Sequence, residues 1–145
     1  MHSAELLNKL RSHLPLEAGD QAVELLQEMQ CELRFSSSRS SKLGDFKRKI
    51  GRQKSLISVN SDLEPRVFLL TFIHELAHAK VYETFRFNRI APHGSEWKAT
   101  YRELLKPFLL EDIFTDALND VVRHWKKAPA AWSKSDPLHH LLPKK

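Results

Sequence analysis

The chain has 145 residues, of which 41% are hydrophobic and 28% charged, with 4 glycines and 7 prolines. These values are typical of one globular domain and exclude collagen-like, low-complexity and wholly disordered chains. The formal net charge is +5, but residues 34–54 carry eight basic side chains against one acid, Asp45. The positive charge is therefore concentrated in one window, which favours a basic patch over a generally basic surface.

No segment of the sequence predicts a membrane span. The longest nearly apolar run, 67–73, covers seven residues, whereas a membrane-spanning helix needs about 20. The first 20 residues carry charges of both signs and lack the apolar stretch of a secretion signal. We expect a cytoplasmic protein with no membrane partner. The single cysteine, Cys31, cannot form an internal disulfide, and any metal site must rely mainly on histidines and carboxylates.

The first 60 residues predict two helices followed by a sheet. Apolar residues recur at helical spacing in 3–13 and 20–30, with a break at 15–19. From Cys31 the pattern changes to the alternation of strands, in segments 31–35, 43–50 and 56–59. The turn signals between these segments predict a small antiparallel sheet of about three strands.

A long apolar helix is predicted next, over residues 65–85. Asn60, Ser61 or Asp62 could cap it, and Pro65 suits its first turn because the missing N–H would have no partner there.

The C-terminal third predicts two more helices and a tail. After a polar stretch at 86–93, a helix begins near Ser95 and ends or kinks at Pro107. Residues 112–127 form an amphipathic pattern, and residues 128–145, with three prolines, predict a loosely ordered tail. The whole pattern is that of an α+β fold with a single domain over 1–127.

The predicted helix 65–85 carries an HExxH motif at His74, Glu75 and His78. Residues four apart lie on one helix face, roughly 5–6 Å apart at Cβ, so both imidazoles can converge on one zinc ion. Glu75 is rotated by one position and can instead reach a water activated by the metal, which makes it the natural general base. The alternative is a core helix whose histidines are satisfied by hydrogen bonds.

A catalytic zinc ion usually takes three protein ligands and keeps a fourth position open. His93 is the best third candidate, because Gly94 and a helix start follow it and a turn could bring its ring back to the motif. Glu96 and Glu103 on the following helix are the alternatives. Position 84 is threonine, so the longer HExxHxxGxxH pattern is absent.

The sequence HELAH at 74–78, the 15-residue step to His93 and Gly94, and the sequence SEW at 95–97 together resemble the SprT-like zinc metalloprotease family. The preceding order is similar too: a basic β-hairpin with Arg39 and Leu43-Gly44, then the strand LISVN at 56–60, then a short connection to the HExxH helix. The resemblance covers roughly residues 14–108, and HExxH followed by HGxxW is more specific than HExxH alone.

This resemblance implies a zincin-like fold and a zinc-dependent endopeptidase acting on a protein or peptide substrate. It implies that His74, His78 and His93 bind zinc and that Glu75 is the catalytic acid/base. The Cys-rich zinc ribbon that many family members carry is absent from this sequence, which has one cysteine. The candidates for the group that stabilises the oxyanion are Tyr82, Tyr101 and Arg89.

A basic run on the predicted hairpin is the second functional candidate. It consists of Lys47, Arg48, Lys49, Arg52 and Lys54. Such a run is either a solvated loop or a surface that contacts nucleic-acid phosphates. In the SprT-like interpretation, it would direct cleavage to DNA-bound or DNA-crosslinked proteins. The rival hypothesis is a non-catalytic, zinc-stabilised nucleic-acid-binding module, which would fill the fourth coordination position with protein.

Overall fold

The computed structural model describes residues 2–29, 31–48, 54–85, 91, 93–109 and 113. Its elements follow the predicted order: α1 (Ala4–His13), α2 (Gly19–Glu28), β1 (Cys31–Ser36), β2 (Gly44–Lys47), β3 (Ser55–Asn60), α3 (Pro65–Thr84) and α4 (Ser95–Leu109). A short 3-10 helix, Leu16–Ala18, joins α1 to α2. The predicted α+β class is confirmed. None of the helices in these residues is long and apolar enough to cross a membrane.

Several predictions fall on residues that the structure does not describe. The helix expected at 112–127 lies there apart from Ile113, which is in a turn, and so does the tail expected at 128–145. Lys49 and Arg52 of the basic run, and Arg89, also lie outside the described residues.

The sheet is mixed, so the prediction of an antiparallel sheet is wrong for one of its two strand pairs. The order is β1-β3-β2; β3 runs antiparallel to β2 but parallel to β1. All six residues of β3 are buried, and this strand takes the centre, where both of its edges are paired. Strand β2, which is antiparallel to β3, therefore lies at one edge of the sheet and not between β1 and β3.

Successive side chains along a strand point to opposite sides of the sheet, and the two sides differ in polarity. On one face Leu33, Ile57 and Phe46 share a row, and α3 packs against this face at β3 and β2. The opposite face carries polar residues at the intervening positions, such as the row Arg34, Ser58 and Asp45.

The cap of α3 differs from the prediction. Glu64 caps this helix, and its Oε2 accepts hydrogen bonds from the backbone N–H groups of Arg66 (3.0 Å) and Val67 (3.3 Å). Pro65 occupies the first turn as predicted. Asn60 cannot serve as the cap because it ends β3 and its side chain is hydrogen-bonded to the segment before β2. Ser61 and Asp62 lie in the turn between β3 and the helix.

Helix α3 is buried around most of its circumference, because the sheet covers one side and α4 packs against another. The face of α4 that meets it is apolar, and Trp97, Tyr101 and Leu105 on this face are fully buried. Pro107 does not end α4, which continues to Leu109. Proline disturbs the helix little there, because it lies in the last turn and only two helical residues follow it.

Candidate metal centre

Three histidine side chains meet at one point beside α3. The Nε2 atom of His93 lies 3.0 Å from Nε2 of His78 and 3.3 Å from Nε2 of His74. In a tetrahedral site with metal–nitrogen bonds of about 2.0–2.1 Å, neighbouring ligand nitrogens lie about 3.3–3.4 Å apart. The ligand atoms of the three histidines all lie within 4.8 Å of one another. This group could therefore hold a metal ion.

The third histidine reaches the group through an unusual backbone turn. His93 has a φ of 63°, in the left-handed region that residues with a side chain seldom adopt. Gly94 follows, and its N–H donates to the carbonyl oxygen of Ala91 at 3.0 Å. Strained conformations of this kind persist where the surrounding structure enforces them and are concentrated at functional sites.

The alternative third ligands lie outside the histidine group. Glu96 accepts a hydrogen bond from the Ser95 hydroxyl (3.2 Å), and Glu103 pairs with Lys106 (2.7 Å) in an exposed position. Among the described residues, no aspartate, glutamate or cysteine joins His74, His78 and His93.

Trp97 packs against all three histidines. Its ring centroid lies 4.6 Å from that of His74, 5.3 Å from that of His78 and 4.8 Å from that of His93. The indole Nε1–H donates to the carbonyl oxygen of His74 at 3.3 Å. The sequence predicts Trp97 as one apolar residue of the α4 face and as part of the HGxxW pattern. Neither the apolar face nor the HGxxW pattern indicates that this ring contacts all three histidines, because the contact depends on how α4 packs against α3.

Glu75 is 6% exposed, and its Oε2 lies 4.0 Å from Nε2 of His74. No hydrogen bond joins its carboxylate to any other described residue. Gly44 at the start of β2 lies directly against it: a Cβ at position 44 would be 2.9 Å from Oε2 of Glu75 and 2.7 Å from Cγ2 of Thr71. The absent side chain at Gly44 therefore makes room for the carboxylate.

In the absence of metal, burial is the largest cause of the pKa shifts at this site. It lowers the pKa of His74 to about 2 and that of His78 to about 4, with neighbouring histidines adding to the effect. The same burial raises the pKa of Glu75 to about 8, with a smaller contribution from Asp45. The imidazoles are consequently neutral at pH 7, as metal ligation requires.

Asn60 ties down the chain segment that leads to Gly44. This residue is 1% exposed, and its Nδ2 donates to the carbonyl oxygens of Arg39 (3.2 Å) and Lys42 (2.9 Å). Its backbone N–H donates to the carbonyl oxygen of Leu43 at 2.8 Å. The start of β2 is thereby held in place above α3.

Of the oxyanion candidates, Tyr101 is fully buried and its hydroxyl donates to the carbonyl oxygen of Leu70 at 3.1 Å. Tyr82 lies one turn beyond His78, with its ring centroid 6.2 Å from that of Phe46. The Phe46 ring is also stacked on His78 at 5.9 Å.

The described members of the basic run do not form one patch. Lys47 and Arg48 are adjacent at the end of β2, but the Arg48 guanidinium lies 5.7 Å from the Tyr82 ring centroid, whereas Lys47 lines a pocket on the opposite face of the sheet. Lys54 is exposed just before β3. The residues that share the pocket with Lys47 include Arg34, Arg39 and Lys42, which the run does not contain.

Comparison of the chain with protein-family models, curated proteins and solved structures gave no match. The site itself defines a three-histidine centre, able to hold a metal ion, beside a buried glutamate.

Proposed function

We propose that the protein is a zinc-dependent endopeptidase of the SprT-like type with a zincin-like fold. The observation that carries this proposal is the convergence of three histidine Nε2 atoms next to the Glu75 carboxylate, which lies 4.0 Å from the nearest of them in His74. The HExxH spacing on α3 and the following His93 supply the same residues that the sequence resemblance implies.

Zinc is the metal that we propose for this donor set. Neutral imidazoles suit zinc, copper, iron and nickel, and three histidines with an open fourth position are a common catalytic zinc arrangement. When bound, zinc would supply Lewis acidity, which lowers the pKa of a water molecule and polarises a peptide carbonyl.

Glu75 would move the proton in this reaction. Its carboxylate accepts a proton from the attacking water and returns it to the leaving amine. In the metal-free chain burial raises the pKa of Glu75 to about 8, and the positive charge of a bound zinc ion would lower it, so that the carboxylate could form and accept the proton. Gly44 limits where this side chain can lie, because a Cβ at that position would be 2.9 Å from Oε2 of Glu75.

The rival function is a zinc-stabilised nucleic-acid-binding module without catalysis. Such a site normally has a fourth protein ligand, and among the described residues none joins the three histidines. Cys31 lies in β1, which β3 separates from β2. A buried carboxylate such as that of Glu75 is costly and adds nothing to a structural site. These observations favour catalysis.

DNA-bound or DNA-crosslinked proteins are the substrate class that we propose. Support comes from the eight basic residues in 34–54, since basic surfaces bind nucleic-acid phosphates without sequence preference. Within this proposal the protein acts in the cytoplasm, and nucleic acid recruits the substrate.

The test is cleavage of a DNA-binding protein by the zinc-loaded chain, with and without DNA. Glu75→Gln should retain zinc and abolish cleavage, whereas Glu24→Gln, an exposed position on α2, should leave cleavage unchanged. Equal cleavage by wild type and Glu75→Gln would refute the mechanism. Absence of cleavage in a fully zinc-loaded wild type would favour the binding module instead. Cleavage that is independent of DNA would remove the nucleic-acid part alone.

A further inference from the structure

A second polar site lies on the sheet face that points away from α3. It is a pocket of about 110 Å³ whose floor includes Leu56 and Ser58 of the central strand. Position 58 pairs with positions 34 and 45, whereas Gly44 and Phe46 face α3, so the pocket and the metal centre are on opposite sides of the sheet. The pocket has room for several water molecules, and hence for a tetrahedral oxyanion.

The lining of this pocket is strongly basic. Four cationic side chains surround it, from β1, from the segment between β1 and β2, and from β2: Arg34, Arg39, Lys42 and Lys47. The one acid in the lining, Asp45, is paired with Lys42 at 3.3 Å, which leaves a formal charge of +3 from four cations and one anion. Glu32 pairs with Leu56 on the same face but does not line the pocket.

The donors of the pocket suit a phosphate group. Guanidinium groups donate in a planar fork that matches two oxygens of phosphate, and ammonium groups add charge. Ser36 and Ser58 contribute hydroxyl groups to the same lining. Apart from Asp45, the ionic groups around the pocket are all hydrogen-bond donors without acceptor capacity.

One of the four cations is held in place before any ligand binds. Nε of Arg39 donates to Oδ1 of the buried Asn60 at 2.7 Å, which fixes the guanidinium group. Its Nη2 is shielded from solvent and has no hydrogen-bond partner within the described chain. A fixed donor group reduces the entropy lost on binding, and an oxyanion next to this guanidinium would offset its desolvation.

We propose that this pocket is a binding site for a phosphate dianion. The group is either free inorganic phosphate or the terminal phosphate of a nucleic-acid strand. A terminal phosphate carries one substituent and can enter a pocket end-on, whereas a phosphate inside a strand carries substituents on two sides. The site uses none of the residues of the metal centre, so it stands independently of the proposed peptidase activity.

The test is a calorimetric titration of the zinc-loaded protein with inorganic phosphate at low salt. Arg34→Gln combined with Lys47→Gln removes two exposed cations of the pocket. The matched control, Lys80→Gln with Lys106→Gln, removes the same charge from exposed positions on α3 and α4. Loss of two charge-assisted hydrogen bonds should weaken binding by at least about tenfold in the pocket variant. The control should keep the wild-type affinity within about twofold, as expected when only long-range charge changes.

Phosphate that binds at the metal centre would bind both double variants equally, so equal affinities would overturn the proposal. Absence of phosphate binding to the wild type would also overturn it. A second titration uses one short oligonucleotide with and without a 5′-phosphate. Preference for the phosphorylated strand, lost in the pocket variant, identifies a strand end as the source. Equal affinity for the two strands, with binding of inorganic phosphate retained, identifies the free ion.

Discussion

Gly44 of β2 and Glu75 of α3 are in such close contact that the glycine cannot carry a side chain without displacing the carboxylate. A Cβ at position 44 would lie 2.9 Å from Oε2 and 3.0 Å from Cγ of Glu75. The backbone of an edge strand therefore sets the position of the proposed catalytic base. Close approach of this kind is a common reason for glycine within a strand.

Gly44→Ala should lower peptidase activity without removing the metal. The added methyl group displaces the Glu75 carboxylate, and a misplacement of about 1 Å at a catalytic group can cost about 100-fold in rate. The zinc content should stay at the wild-type value, because the three atoms nearest to the added methyl group belong to Thr71 and Glu75 and not to a histidine. The two readouts are kcat/KM on a peptide substrate and metal analysis.

Gly19→Ala is the matched control for this substitution. A Cβ there meets nothing closer than 3.5 Å, and the nearest atoms belong to the Arg11 side chain. Its activity should equal that of the wild type. Full activity in Gly44→Ala would show that the contact with Glu75 does not position the base.

Trp97→Phe should weaken metal binding. The substitution keeps an aromatic ring but removes the Nε1–H that donates to the carbonyl oxygen of His74, and groups that orient metal ligands typically change affinity by about 10- to 100-fold. Tyr101→Phe is the comparison, because it removes a hydroxyl donor to the carbonyl oxygen of Leu70, which lies one helical turn before His74. Competition with a chelator measures both. If the two variants lose affinity equally, Trp97 has only a packing role.

His93→Asn separates metal binding from backbone strain. Asparagine tolerates the left-handed φ of position 93 better than most residues, so the free energy of unfolding of the metal-free protein should change by less than about 1 kcal/mol. Wild-type protein should gain about 2.7 kcal/mol when free zinc is 100 times its dissociation constant. The variant should lose this gain, as measured by denaturation with and without zinc. Undiminished stabilisation by zinc in the variant would exclude His93 as a ligand.

The metal-free protein should be most stable near pH 6.5. Burial lowers the pKa of His74 and His78 from 6.5, so the unfolded chain takes up more protons there and stability falls as the pH drops below 6.5. Burial raises the pKa of Glu75 from 4.5 to about 8, so the folded chain retains a proton that the unfolded chain releases, and stability falls as the pH rises towards 8. Between pH 4.5 and 6.5 the two histidines favour proton uptake by the unfolded chain, and the single glutamate favours proton binding by the folded chain. The histidines have the larger effect, so stability falls as the pH drops through this range.

Urea denaturation of the metal-free chain near pH 5, 6.5 and 8 measures this dependence. Glu75→Gln should abolish the decline between 6.5 and 8, while Glu24→Gln at an exposed position should preserve it. A wild type that is more stable at pH 8 than at 6.5 would contradict the assignment of a buried, protonated Glu75.

Local patterns predicted the helices and strands well because each depends on periodicity within one segment. Strand order depends on contacts between distant segments. The alternation in β1, β2 and β3 indicates which residues share a face, but it does not say that β3 pairs with β1 in parallel. The predicted cap of α3 is wrong for a related reason. Asparagine is a good capping residue by type, but the side chain of Asn60 donates hydrogen bonds to the carbonyl oxygens of Arg39 and Lys42.

The candidate site also combines residues that a local pattern predicts with contacts that depend on how distant segments pack. The HExxH spacing predicts His74, Glu75 and His78, whereas His93 is one of three candidates for the third ligand and is the one that the family resemblance implies. The contacts of Gly44 and Trp97 with these residues depend on how β2 and α4 pack against α3, which no spacing reveals. The basic window was visible in the sequence, but the alternation along β2 separates Lys47 from Arg48, and pairing of the strands joins Lys47 with Arg34 around one pocket.

Zinc K-edge X-ray absorption on the stoichiometrically loaded chain would show whether the protein has an open three-histidine zinc site. We expect three imidazole nitrogens at about 2.0–2.1 Å and one oxygen as the fourth neighbour. A sulfur neighbour at about 2.3 Å, a fourth imidazole, or failure of the chain to bind zinc would contradict it.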